Sequence, residues 1–215
     1  MERLIDVRPL NTILVVVVAL TATACASSAP KPTNNPGAAK SPAADLPKFA
    51  ADFARTCSDG IGFAALPAYP VAGKATHTAV LLEKSAKTNA WSQNVPSGSD
   101  YPPGWILGYQ DKVETTELVV CYERTAETPA GKVCDMQDEK TKQSLKMTMY
   151  NTTYRLRVLE ARTGKALYDK PGDAKSTDCP YLAYHSGDED ATKYYTEASP
   201  ADYRAQLKPF IAPSS

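Results

Sequence analysis

The side chains that could do chemistry here are five cysteines, two histidines and one short acidic run. Cys57, Cys121, Cys134 and Cys179 form an even set, and no two of them are separated by the two residues of a metal knuckle. His77 and His185 lie far apart in sequence. Zinc ligation fits this pattern poorly, and pairing into two disulfides fits it well. Residues 126–131 read as a turn, and Cys121 and Cys134 sit almost symmetrically about it. A hairpin bridge Cys121–Cys134 is therefore favoured, which leaves Cys57–Cys179 as the long closure, although all three pairings are formally open. Asp188-Glu189-Asp190 has the carboxylates a hard cation wants, but it lacks the alternating spacing of a calcium loop. A solvated acidic loop is the simpler reading, and no metal or other cofactor is expected.

Other catalytic patterns are weak. There is no Gly-x-Ser-x-Gly elbow, and Ser97 and Ser99 flank Gly98 in a loop. His185, Ser186 and Asp188 are too close in sequence to line up as a triad. Gly164-Lys165 lacks the glycine five residues earlier that a phosphate loop requires. No enzyme is expected on these grounds. One binding candidate remains. Trp91, Tyr101, Trp105 and Tyr109 surround the Pro102-Pro103-Gly104 turn. Aromatic residues on loops give large contact area at low entropic cost, which suits a sugar ring or a partner protein. The structural alternative is that Trp105 and Tyr109 are strand core and Trp91 plugs a sheet edge.

The remaining cysteine, Cys25, has a different context. Arg3 and Arg8 precede an uncharged run over residues 10–24 that ends in small residues. That run is shorter than a spanning helix and reads as a cleavable export signal. Ala22-Thr23-Ala24-Cys25 resembles the lipobox of bacterial lipoproteins, with Ala22 where that family prefers leucine. The resemblance implies cleavage before Cys25 by signal peptidase II and acylation of its thiol. An ordinary secretory signal cut after Ala22-Thr23-Ala24 would break the same bond and leave Cys25 bare. Residues 26–44 are mostly Pro, Ala, Ser, Thr and Asn and bury too little apolar area to fold, so they read as a tether. The expected organisation is a signal at 1–24, a lipidated cysteine and disordered tether at 25–44, and one extracytoplasmic β-rich domain at 45–215.

Lys plus Arg equals Asp plus Glu at 24 each, and the signal carries two of each sign, so the mature chain is neutral. Nucleic-acid binding is not expected. Within the domain, residues 45–56 carry a helical apolar face and Gly60 offers a stop. Residues 76–83, 114–124, 132–136, 144–161 and 165–168 read as strands. Leu145, Met147 and Met149 share one parity while Tyr154, Leu156 and Val158 share the other, which predicts a bulge near residues 151–153. Ser199-Pro200 starts a final helix that Pro209 limits to about two turns. The fold class expected is mainly β, an antiparallel sandwich or open barrel with short flanking helices, with α+β as the variant.

Residues 118–121, 160–165 and Cys179-Pro180 also resemble a β-rich domain of uncharacterised secreted or membrane-anchored bacterial proteins, and that resemblance implies no activity. The expected function is a non-catalytic binding or support module, anchored through acylated Cys25 to the outer face of a membrane, with an envelope protein or glycan as partner. The alternatives are an enzyme acting on envelope polymers through carboxylates scattered in sequence, and a purely structural lipoprotein.

Overall fold

Residues 118–122, Leu-Val-Val-Cys-Tyr, are apolar on both parities, and such a strand needs cover on both faces. In the computed structural model, which describes residues 45–70, 75–96, 100–138, 142–183 and 190–213, they open strand β3 (Leu118–Gln137) and are buried throughout. The other strands are β1 (Ala79–Lys84), β2 (Trp91–Gln93), β4 (Ser144–Glu160), β5 (Ala166–Ala174) and β6 (Lys193–Tyr195). All six belong to one sheet ordered β2-β1-β3-β4-β5, with β6 paired to β4 beyond the end of β5. The protein is mainly β, as expected. The sheet is mixed rather than purely antiparallel, because β1–β3 and β4–β6 are parallel, and it does not close into a barrel.

Strand alternation sends two core clusters to opposite faces. On one face Val80, Leu82, Val119, Cys121 and Leu159 pack against Phe53, Cys57, Phe63 and Leu66. Phe53 ends a 3-10 turn (Ala50–Phe53) that runs into helix α1 (Ala54–Asp59), and Gly60 ends that helix in the left-handed conformation at φ 68°. On the other face Leu81, Leu118, Val120, Leu156 and Val158 pack against Trp105 and against Leu207 and Ile211 of helix α2 (Pro200–Ile211). Among the described residues, helices and loops cover the sheet where a sandwich would place a second sheet. Each fully buried aliphatic or aromatic side chain contributes about 1.5–3 kcal/mol, and both faces supply several.

Two sequence expectations change. Residues 126–131 do not turn the chain: β3 continues through them to Gln137 and pairs with β4 from Ser144, with the Asp138 amide donating to the Gln143 carbonyl and the Lys142 amide to the Asp138 carbonyl. Pro129 has no N–H to give a ladder, and it sits at the edge of a register shift that runs to Val133. Gly131 there takes φ 73°. A second shift leaves Thr125 as an extra residue between Arg124 and Ala126. The bulges therefore lie in β3, while β4 stays regular against it. The parity change in β4 arises because Met147 and Met149 bury one face and Thr152, Tyr154, Leu156 and Val158 the other.

The disulfides change with the turn. Cys121 and Cys134 lie on the same strand and cannot bridge. Cys57–Cys121 and Cys134–Cys179 form instead, each with Cα atoms 5.7 Å apart. α2 caps as expected, with the Ser199 hydroxyl accepting from the Asp202 amide, but it runs through Pro209 to Ile211. Pro209 costs one hydrogen bond, and the burial of Leu207 and Ile211 on the sheet offsets it. One glycine contact is tight. The turn between β4 and β5 lies against the segment after α1, so a Cβ on Gly164 (φ 75°) would sit 2.0 Å from the Gly60 carbonyl oxygen. No helix of the described residues is long and apolar enough to cross a membrane.

Candidate functional site

The face of the sheet that packs α2 continues past its apolar core into polar groups. Glu83 on β1 lies beside Tyr122 on β3, and both point to the α2 side. α2 brings Tyr203 over them, and its approach segment brings Glu197 and Ala198. Together with Asn94, Asp100 and Tyr101 these residues line a pocket of about 160 Å³. The Tyr122 and Tyr203 rings meet edge to face, with centroids 5.5 Å apart and planes at 68°, and form a corner of it. Tyr154 backs that corner, 5.2 Å from Tyr122 and 6.1 Å from Tyr203, and its hydroxyl accepts from the Gln206 amide at 3.0 Å. Glu83 is held by the Asn94 amide, which donates to Oε2 at 2.8 Å. Among the described residues, every charged side chain in the lining is a carboxylate: Glu83, Asp100 and Glu197.

The electrostatics follow from that lining. Burial pushes the Tyr122 hydroxyl up to about 12, with Glu197 and Glu83 adding to the rise while a hydrogen bond with Tyr203 opposes it. Tyr101 is also pushed up to about 12, by burial and then by Asp100. Tyr203 is raised furthest, again mainly by burial, with Tyr122, Glu83 and Glu197 adding. All three phenols are neutral at pH 7; carboxylates add to the rise at each, and at Tyr101 the Arg204 charge opposes it.

The pocket shares Glu83, Tyr122 and Glu197 with a larger cleft of about 690 Å³. Its walls include Arg124, Glu127, Lys193, Tyr194 and Tyr195. Arg124 stacks on Tyr195 at 3.7 Å and lies 3.9 Å from Glu127. Lys84, at the rim, is bound to Glu123 at 2.6 Å.

The four aromatic residues singled out in sequence do not form one surface. Trp105 is 7% exposed and belongs to the α2-side core, with Tyr101 packed against it. Trp91 packs against the opposite core, with the Lys84 ammonium 5.8 Å and the Arg157 guanidinium 5.7 Å from its ring. Tyr109 is 70% exposed. Only Tyr101 joins the pocket. Asp190 accepts from the Thr192 amide and hydroxyl at 3.0 and 2.5 Å and lines the larger cleft. Asp188, Glu189, His185, Ser186, Ser97, Ser99 and Cys25 lie outside the described residues. Among the described residues no group of three metal-binding side chains comes together.

Sequence reasoning passed over Glu83, Tyr122, Glu197 and Tyr203. The available signal was compositional: 12 tyrosines against four phenylalanines, an excess of ring-bearing side chains that can wet one end. His77 stands apart. It is 1% exposed, its Nδ1 meets the Glu117 carboxylate, and the Tyr69 ring crowds it with centroids 4.7 Å apart. It lines neither the pocket nor the cleft. No protein-family model, curated protein or solved structure matches the chain.

Proposed function

We propose that this chain is a lipoprotein tethered through acylated Cys25 to the outer face of a bacterial membrane, and that its folded domain is a binding module rather than a catalyst. The tethering half rests on the run from residue 10 to Ala24 and on Cys25 itself. The binding half rests on one observation, the tyrosine-walled pocket opening into the cleft between the sheet and the segment that leads into α2. Neutral phenols and pre-placed carboxylates recognise a ligand without needing to turn it over. The test is photocrosslinking in intact cells from a reactive residue placed at Lys87, on the cleft rim. Recovery of an envelope protein or glycan joined there is the expected result, and crosslinking no greater than from a site on the α1 face would reject the binding reading.

A second reading has one observation behind it. Glu83 and Glu197 line the same pocket, and a pair of carboxylates across a cleft is what glycan hydrolysis uses. Release of soluble fragments from purified cell-wall material, abolished in both Glu83→Gln and Glu197→Gln, would favour it.

A further inference from the structure

Resting on the reading of this cleft as a binding site, we propose that the pocket bounded by Tyr101, Tyr122 and Tyr203 takes a small organic cation, an alkylammonium group. Three features of the lining select that chemistry. The first is aromatic. Tyr122 and Tyr203 stand at 68° to one another, and Tyr101 adds a third ring to the lining. Ring faces carry negative potential and attract a cation, most strongly where water is excluded. The second is charge. Among the described residues the lining carries three carboxylates, Glu83, Asp100 and Glu197, against one cation nearby, Arg204 beside Tyr101, so the balance disfavours an anion and favours a cation. Glu83 is also fixed, because Asn94 holds its Oε2 at 2.8 Å, so it need not be ordered when the ligand arrives. The third is size. A cavity of about 150 Å³ admits a benzene-sized guest, and this one measures about 160 Å³. A trimethylammonium head or the end of an alkylamine fits that space.

The phenols stay protonated under ordinary conditions, because burial and the same carboxylates raise them. The rings therefore act through their faces, and the formal charge resides on the carboxylates. The adjoining cleft, which shares Glu83, Tyr122 and Glu197 with the pocket, gives the rest of the ligand somewhere to lie.

The experiment is calorimetric titration of the full-length protein in a non-ionic detergent with choline, with butylamine, and with 3,3-dimethylbutan-1-ol, the uncharged carbon counterpart of choline. Saturable binding of at least one ammonium probe is expected, with the neutral alcohol weaker by about tenfold or more. Glu83→Gln keeps shape and the Asn94 contact while removing one charge, and should weaken the ammonium probe about tenfold with an unchanged melting temperature. The stronger of the two ammonium probes shows whether the natural cation is quaternary or a primary amine. Equal binding of the alcohol and choline would overturn the cation inference while leaving a binding pocket in place. Binding of no probe would also overturn it, and the Lys87 crosslinking would then decide separately whether the cleft binds anything.

Discussion

At the residue scale, the buried tyrosines set how the molecule responds to alkali. Tyr101 and Tyr122 are held protonated up to about 12, against an ordinary value of 10.0. The unfolded chain gives up these protons first. Stability is therefore complete below pH 10 or so and falls as pH rises toward the folded values. Titration by phenolate absorbance should show a late-ionising group of tyrosines, smaller by one in Tyr122→Phe, and melting temperature should drop across the same window. Asp169 works in the opposite direction. Arg155 grips it in a fork at 2.7 and 2.6 Å and holds its carboxyl below the ordinary 3.8. Its contribution is present above that ordinary value and is lost as pH falls through the depressed one. Both partners are well exposed, 47% and 38%, so the contribution stays below about 1 kcal/mol. The stability difference between wild type and Asp169→Asn, measured by urea unfolding, should shrink toward zero on acidification.

At the element scale, β3 organises the domain. It is the one strand that both disulfides touch, Cys121 near its start and Cys134 near its end. Each bridge closes a long loop, with sequence separations of 64 and 45. In the loop-entropy account each contributes about 4 kcal/mol, and the two differ by only about 0.3 kcal/mol. Cys57→Ala with Cys121→Ala, and Cys134→Ala with Cys179→Ala, should therefore lower denaturant stability by similar amounts. Peptide mapping without reduction should recover residue 57 joined to 121 and residue 134 joined to 179. The strands were legible in sequence wherever both parities were apolar, as in residues 118–122, or where alternation ran long, as in β4. The turn was not. Pro129 and Gly131 carry the usual turn signals, yet a bulge in a long ladder uses the same residues for the same reasons: no donor is needed there, and a positive φ is allowed. Misreading that bulge displaced the cysteine pairing with it. β6 was not foreseen, since three residues of a parallel pairing to β4 leave no periodicity to detect.

At the scale of the whole molecule, the pocket was the least legible feature. Its walls come from β1, the segment after β2, β3, the segment before α2, and α2 itself, with 120 residues between Glu83 and Tyr203. Each wall residue has an ordinary local explanation: Tyr122 fits a strand pattern and Tyr203 a helical stripe. Only the packing of α2 across the sheet makes them neighbours. The proposed tether makes a prediction of its own. Labelled fatty acid should enter the protein in cells, and Cys25→Ser should abolish labelling and shift the protein from the membrane fraction, with the folded domain's melting temperature unchanged.

The two ends of the sheet have a consequence for crowding. On one side β2 offers three residues of backbone and β3 runs on past β1, broken by register shifts at Thr125 and between Pro129 and Val133; on the other β5 carries Pro171 with Asp169, Lys170 and Asp173. A neighbouring copy finds a short rail and a bulged one on one side and an interrupted, charged one on the other. Many copies can therefore sit shoulder to shoulder without zipping their sheets into fibres, and a concentrated preparation should stay clear and give no amyloid-dye signal.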